Sequence, residues 1–395
     1  MKLAINGGTP VRDNYLTYGR QSIDDSDIES VIKVLKGDFI TTGPKAQEFE
    51  RKVAEYIGVR YAVSIANGTA ALHMACAVAE ISAGDEVLIP AITFAASANC
   101  VLYCGGTPVF VDVNPKTYNI DIEDMKRKIT SKTKVIIPVD MTGQGVDIDR
   151  IMEVAKKHNL IVIEDAAHAL GSEYKGRKVG ATAHITEFSF HPVKPITTGE
   201  GGMVVTNDKD LYEKMLRFRS HGITRKPEFL VDNHGPWYYE QLELGFNYRI
   251  TDLQCALGIS QMDKLDKFIC RRREIVNIYN EAFKELKEIT SPFEAEFSNS
   301  GWHIYVIALN LDKLTVGRKE IFEALQKENI GVNVHYMPVY LHPYYKNLGY
   351  EKGLCPAAED LYNRIITIPL FPSMTDKDIE DVIKAVKKVT DFYRK

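Results

Sequence analysis

Between residues 61 and 206 short runs of β-branched and apolar residues alternate with longer amphipathic runs, and this alternation excludes most folds. The strand-sized runs fall at 61–65, 86–89, 109–113, 135–139, 160–164, 187–190 and 203–206. Several are continuously apolar, as expected of strands covered on both faces. Helical stretches at 70–81, 122–129 and 148–158 lie between them. Strand alternating with helix predicts an α/β domain around a mostly parallel sheet. Ligands of such sheets sit at the carboxyl ends of the strands, so the residues just after each strand bear most on function.

Downstream, 253–286 reads as one or two long helices that carry the charged stretch Arg271 to Arg273. A strand at 302–309, a helix at 318–328 and strands at 331–336 and 365–368 follow. Thr375 caps a last helix from Asp376 to Thr390. A chain of 395 residues, at roughly 100–200 residues per domain, has room for two or three. We expect two, a large domain at 1–265 that includes an N-terminal arm and a smaller α+β domain at 266–395.

The formal net charge is −4 with signs mixed, which gives no electrostatic case for nucleic acid or an anionic membrane. The pair Lys387 and Lys388 reads as the solvated face of the last helix. Gly7, Gly8 and Pro10 stand where a signal peptide would need an apolar core, and no apolar run is long enough to span a bilayer. Six cysteines are scattered, with Cys100 and Cys104 the one close pair and no zinc spacing. The expectation is a cytoplasmic protein with reduced, mostly buried thiols and no metal site.

Four short segments then stand out, each at a strand end. Asp165 ends the strand at 160–164; it serves either as a helix cap or as the ion-pair partner of a protonated pyridine nitrogen. Lys194 follows the strand at 187–190 and precedes the turn Gly199-Glu200-Gly201-Gly202. Most lysines are solvated. One in a crevice suits imine formation with an aldehyde, because desolvation frees its amine. Ser189 and the glycine turn offer donors to a phosphate. Asn67-Gly68-Thr69 opens a helix, either as an ordinary cap or as an anion site made of free backbone N–H groups. Phe94 follows the strand at 86–89, either as core or as the cover of a flat ring. Together they supply a phosphate cradle, a ring cover, a pyridinium partner and an imine lysine.

Residues 164–171 and 188–202 resemble the signature of the DegT/DnrJ/EryC1/StrS family, pyridoxal-phosphate-dependent aminotransferases of fold type I that act on nucleotide-linked keto sugars. The likeness continues in Thr42-Gly43-Pro44-Lys45, Arg219-Ser220-His221-Gly222, 245–252, 335–340 and 368–372. It implies a mixed, mostly parallel seven-stranded sheet and pyridoxal 5′-phosphate (PLP) as cofactor. It implies Lys194 as imine anchor and general acid/base, with Asp165 on the pyridine nitrogen and Phe94 on the ring. Gly68, Thr69 and Ser189 then bind the phosphate, and Asn247 reaches the phosphate of a neighbouring subunit, so the active unit is a homodimer. His168 lies by the cofactor, while Tyr18, Arg20, His335 and Tyr336 meet the sugar nucleotide. Tyr18 to Gln21, Pro138 to Asp140 and 190–198 are similar to the pseudaminic-acid branch, which aminates C4 of a UDP-linked 2-acetamido-2,6-dideoxy-4-keto-hexose with L-glutamate as donor. Trp237-Tyr238-Tyr239-Glu240 is similar to a spore-coat polysaccharide branch. Family dehydratases have a His in place of the imine lysine, so Lys194 separates the chain from them. A non-catalytic sensor on this fold would need a readout element, and no basic helix or DNA-binding extension is present.

Overall fold

Each strand-sized run of the first half becomes a strand in the computed structural model, which describes residues 2–395. β1 is Tyr61–Ile65, β2 Glu86–Pro90, β3 Thr107–Val111, β4 Thr133–Ile136, β5 Ile161–Asp165, β6 Ile185–Ser189 and β7 Gly202–Thr206. They form one seven-stranded sheet in the order β1-β7-β6-β5-β4-β2-β3. β2 to β6 run parallel, and β7 is antiparallel to both neighbours. No helix lies between β6 and β7, which suits antiparallel neighbours, because parallel ones need a crossover.

Helices α1 (Asp25–Leu35) and α2 (Pro44–Ile57) precede β1, and helices cover both faces of the sheet, as the two-residue period of the strands dictates. Val87, Ile89, Phe110, Val135 and Ile163 pack with α3 (Gly68–Val78) and α4 (Ala96–Tyr103). Leu88, Val111, Ile136 and Val162 pack with α5 (Ile148–His158) on the other side. The long helical stretch resolves into two helices, Asp252–Met262 and Leu265–Phe283, with Asp263 and Lys264 between them. Among the described residues no helix is long and apolar enough to cross a membrane.

A small antiparallel sheet follows: β8 (Ile289–Thr290), β9 (Tyr305–Leu309) and β10 (Ile365–Ile368), with β9 in the centre. Tyr305, Ile307 and Leu309 face a core shared with helices Leu265–Phe283, Arg318–Lys327 and Asp376–Tyr393. Ile304, Val306 and Ala308 face the core of the large sheet. From these two cores we propose the division at 1–265 and 266–395. Thr375 caps the last helix in a reciprocal pair with Asp378.

Two sequence expectations need correction. Residues 331–336 form no strand; Asn333 alone pairs with Thr367. The Gly331 N–H goes to Leu16 O instead, and the Asn333 side chain accepts from its neighbour Val334, which replaces the ladder locally. Lys388 is buried rather than solvated. Its ammonium donates to Glu328 (2.8 Å) and to Thr9 O (2.9 Å). In space the Cys100 sulfur lies 3.4 Å from that of Cys76, across α3 and α4, and all six thiols are free, four of them buried. Within the charged stretch, Arg272 is fully buried and donates to the carbonyls of His303 and Leu370 (2.9 Å each).

Glu328 also accepts from the N–H groups of Ala4 and Val11, so one buried ion pair ties down the arm that leads to Tyr18 and Arg20. Removing one member of a buried pair strands the other charge. Glu328→Ala is expected to cost about 3 kcal/mol in urea unfolding and to expose residues 2–16 to limited proteolysis. An unchanged midpoint and cleavage pattern would contradict this role.

Candidate active site

The register of β5 against β6 sets Asp165 beside Glu187, on the sheet face that carries α3 and α4. Asp165 is 4% exposed. Its Oδ2 accepts from Ser97 Oγ on α4 (2.6 Å), and its Oδ1 accepts from the Ala167 N–H (3.2 Å). Thr93 Oγ1 lies 2.7 Å from Ser97 Oγ and extends that chain of hydroxyls. Both contacts fix the direction of the carboxyl group at the strand end.

Lys194 lies in the loop after β6. By area the residue is only partly buried, although its ammonium end is surrounded by protein, as at the floor of an open cleft. Desolvation lowers its pKa from 10.5 to about 8, against the opposing attraction of Asp165 and Glu187.

Gly68 opens α3, whose first turn is capped by Asn67 Oδ1 accepting from the Ala70 N–H (2.8 Å). A side chain at Gly68 would put its Cβ 2.6 Å from Glu187 Oε1 and 3.0 Å from Ser189 Cβ. Only glycine lets this helix start approach β6 so closely. Gly68, Thr69 and Ser189 are therefore brought together at a helix N-terminus, where anions bind. Phe94 is 60% exposed, so it is not core. Its ring centroid lies 6.0 Å from that of Tyr336.

His168 and His335 flank the lysine. Burial first, then the lysine charge, keeps both imidazoles below their ordinary range, His335 at about 4. His335 Nδ1 lies 2.7 Å from Thr367 Oγ1, and Tyr18 packs on the His335 ring at 5.2 Å. The Tyr336 hydroxyl is 3.4 Å from His168 Nε2. Arg20 and Lys194 line one small cavity of about 10 Å³. Asn247 is exposed, its backbone bridged to Ser220.

Two further residues belong to this cluster and carry no sequence signal. The His303 ring is 4.4 Å from that of His168, behind the site. Glu187 is fully buried, and neither carboxyl oxygen receives a hydrogen bond from any donor. In sequence Glu187 opens one strand-like run and His303 lies near the start of another; only the fold brings them to the crevice.

The residues fit a flat, phosphate-bearing aldehyde. The cleft has an amine with lowered pKa, a carboxyl fixed by a hydroxyl, an exposed aromatic ring and a helix start that no side chain could share. Residues 21–387 match the DegT/DnrJ/EryC1/StrS aminotransferase family. The chain belongs to that family. It is a PLP-dependent sugar aminotransferase of fold type I. The spore coat polysaccharide biosynthesis protein SpsC of Bacillus subtilis is 39% identical, covering 96% of this chain and 98% of that protein. The UDP-4-amino-4,6-dideoxy-N-acetyl-beta-L-altrosamine transaminase of Campylobacter jejuni is also 39% identical, covering 96% and 99%. The PLP form of a Streptococcus pneumoniae sugar aminotransferase superposes with a TM-score of 0.89 at 32% identity, covering 96% and 99%.

In the apoprotein, modification of Lys194 by an amine-specific reagent is expected to titrate with a midpoint of about 8. Asp165→Asn removes a charge that favours the ammonium, so the midpoint should fall further. A midpoint in the ordinary lysine range, or a rise in the variant, would contradict this electrostatic reading.

Proposed function

We propose that this aminotransferase moves an amino group from L-glutamate to C4 of a UDP-linked 2-acetamido-2,6-dideoxy-4-keto-hexose, in two half-reactions. The observation that carries the chemistry is the Lys194 amine, with its pKa lowered to about 8, standing at the strand ends between Asp165 and two neutral imidazoles. Bound PLP supplies an aldehyde that carries the amino group and a ring that takes up the electrons left when a C–H proton departs.

Lys194 holds the cofactor and, once displaced, takes the proton from the α-carbon of glutamate at its Nζ. In the second half-reaction it gives a proton to C4 of the sugar. Asp165 holds the ring nitrogen, Phe94 covers the ring, and Gly68, Thr69 and Ser189 hold the phosphate. His168 lies beside the ring. Tyr18, Arg20, His335 and Tyr336 border the sugar nucleotide. Both imidazoles are neutral at working pH and act as hydrogen-bonding groups, not cations.

The substrate rests on Tyr18 to Gln21, Asp140 and 190–198, and on the name carried by the Campylobacter relative. Asp140 is fully buried, with Oδ1 accepting from the Val146 N–H (2.8 Å). It acts on the site through its turn, because the backbone of Gly143 meets those of His168 and His303. The SpsC likeness makes another keto sugar the second reading.

We also infer a cytoplasmic homodimer. Val231, Trp237 and Leu244 are 84%, 71% and 79% exposed just before Asn247, as suits a surface that a second copy covers. Buried free thiols suit a reducing compartment.

Lys194→Ala should fold but lose turnover and the visible absorbance of a cofactor-bound lysine; retained turnover would sink the cofactor assignment. In a mixed dimer of Lys194→Ala with Asn247→Ala chains, one site carries both lesions and the other neither, so activity should partly return. No recovery on mixing would count against a shared site. For the substrate, product NMR should show an amine at C4 of the β-L-arabino 4-keto sugar in preference to its D-xylo epimer. Preference for the epimer, or an amine at C3, would refute that substrate and leave amine transfer standing.

A further inference from the structure

Glu187 is the one residue of the crevice for which neither the fold nor the proposed chemistry accounts. It lies on β6, directly across from Asp165 on β5 and on the same face. Its neighbour Phe188 points to the opposite face, into a separate apolar core. A buried carboxyl group normally draws donors. Here both oxygens lack one. Across the strand pair it faces the side chain of Asp165, itself an acceptor. Two carboxyl groups can bond only when one of them carries a proton.

Of the charged and titratable groups that face Glu187, Lys194 alone favours its ionised form, and Val204, beside it on β7, is apolar. On β5 stands Asp165, a like charge. The loop after β6 contributes Lys194, whose attraction opposes protonation. α4 contributes the Cys100 thiol, which favours it. The start of α3 closes over Oε1 at Gly68, with Ser189 beside it and no side-chain donor turned to the carboxyl. Desolvation is the largest influence and, with Asp165, holds the Glu187 carboxyl well above its usual range. Asp165 already accepts from Ser97 and from the Ala167 backbone, so it is the partner better provided to keep the negative charge.

We propose that Glu187 is a neutral carboxylic acid that donates its proton in a hydrogen bond to the carboxylate of Asp165. It is a positioning residue: it touches neither substrate nor cofactor, and it acts through Asp165. The pair carries one negative charge rather than two, aimed at the cofactor ring nitrogen by three donors. The same proton keeps a second negative charge from the floor of the phosphate cradle, where it would repel the phosphate. The proton on Glu187 is a property of the apoprotein, whereas its effect on the cofactor rests on the proposed role of Asp165.

The test compares Glu187→Gln, which keeps the shape and an N–H donor, with Glu187→Val, which keeps neither. In the apoprotein near neutral pH, the infrared difference spectrum of wild type minus Glu187→Gln should contain the C=O stretch of a protonated carboxylic acid. In PLP titrations, Glu187→Gln should keep the wild-type dissociation constant, and Glu187→Val should raise it about tenfold, the worth of one hydrogen bond to a charged group. A carboxylate band in place of the acid band would overturn the proposal, as would equal PLP affinities for the two variants. If Glu187→Val does not fold, the infrared spectrum of the Gln variant decides. Failure of the wild type to bind PLP would refute the reading of Lys194, while the infrared band still reports on Glu187.

Discussion

The pairing of β5 with β6 fixes the separation and direction of the groups on which everything else in the cleft depends. Because the strands are parallel and in register, Asp165, Glu187 and Ser189 emerge on one face, beneath the start of α3. That start can approach only because residue 68 has no side chain. A carboxyl and an anion cradle thus sit at fixed positions on rigid elements, and Lys194 enters from the loop that leaves β6. Slipping β6 by one residue against β5 would turn Glu187 and Ser189 to the opposite face, away from Asp165 and into the core of Phe188.

The low dielectric of that cleft has opposite effects on its groups. Burial frees the Lys194 amine, keeps two imidazoles neutral and raises the carboxyl of Glu187. Such shifts cluster where proton transfer is needed. The charge balance is therefore collective: Lys194 would fall further without the charge of Asp165, and His168 less without Lys194. The sheet of β8, β9 and β10 stands beside the cleft. β9 buries one set of alternating residues in each core, and Arg272 ties the helix Leu265–Phe283 to the carbonyls of His303 and Leu370. That network supports His303, which supports His168.

Much of this was legible in sequence because the signals were local. Short strand-sized runs, several of them continuously apolar, marked the seven strands, and Asp165, Lys194, Gly68 and Phe94 each stood just after a strand, where the fold class puts ligands. The irregular segment at 331–336 was missed because its alternation looks strand-like, whereas its backbone bonds go to the arm at Leu16 and to its own Asn333. Lys388 was misread because its partner, Glu328, lies far away in sequence. Glu187 and His303 were invisible for the same reason. A carboxyl in a strand and an imidazole beside a tryptophan mean nothing until tertiary packing puts one against Asp165 and the other against His168.

The central claim is that this cleft passes an amino group through Lys194-held PLP to a keto sugar. It is tested most directly by the visible spectrum of the purified, PLP-loaded protein on addition of L-glutamate alone. The band should bleach while about one equivalent of 2-oxoglutarate per chain is released, and it should return when a nucleotide-linked 4-keto sugar is added. A band that glutamate leaves unchanged, with no 2-oxoglutarate formed, would contradict it.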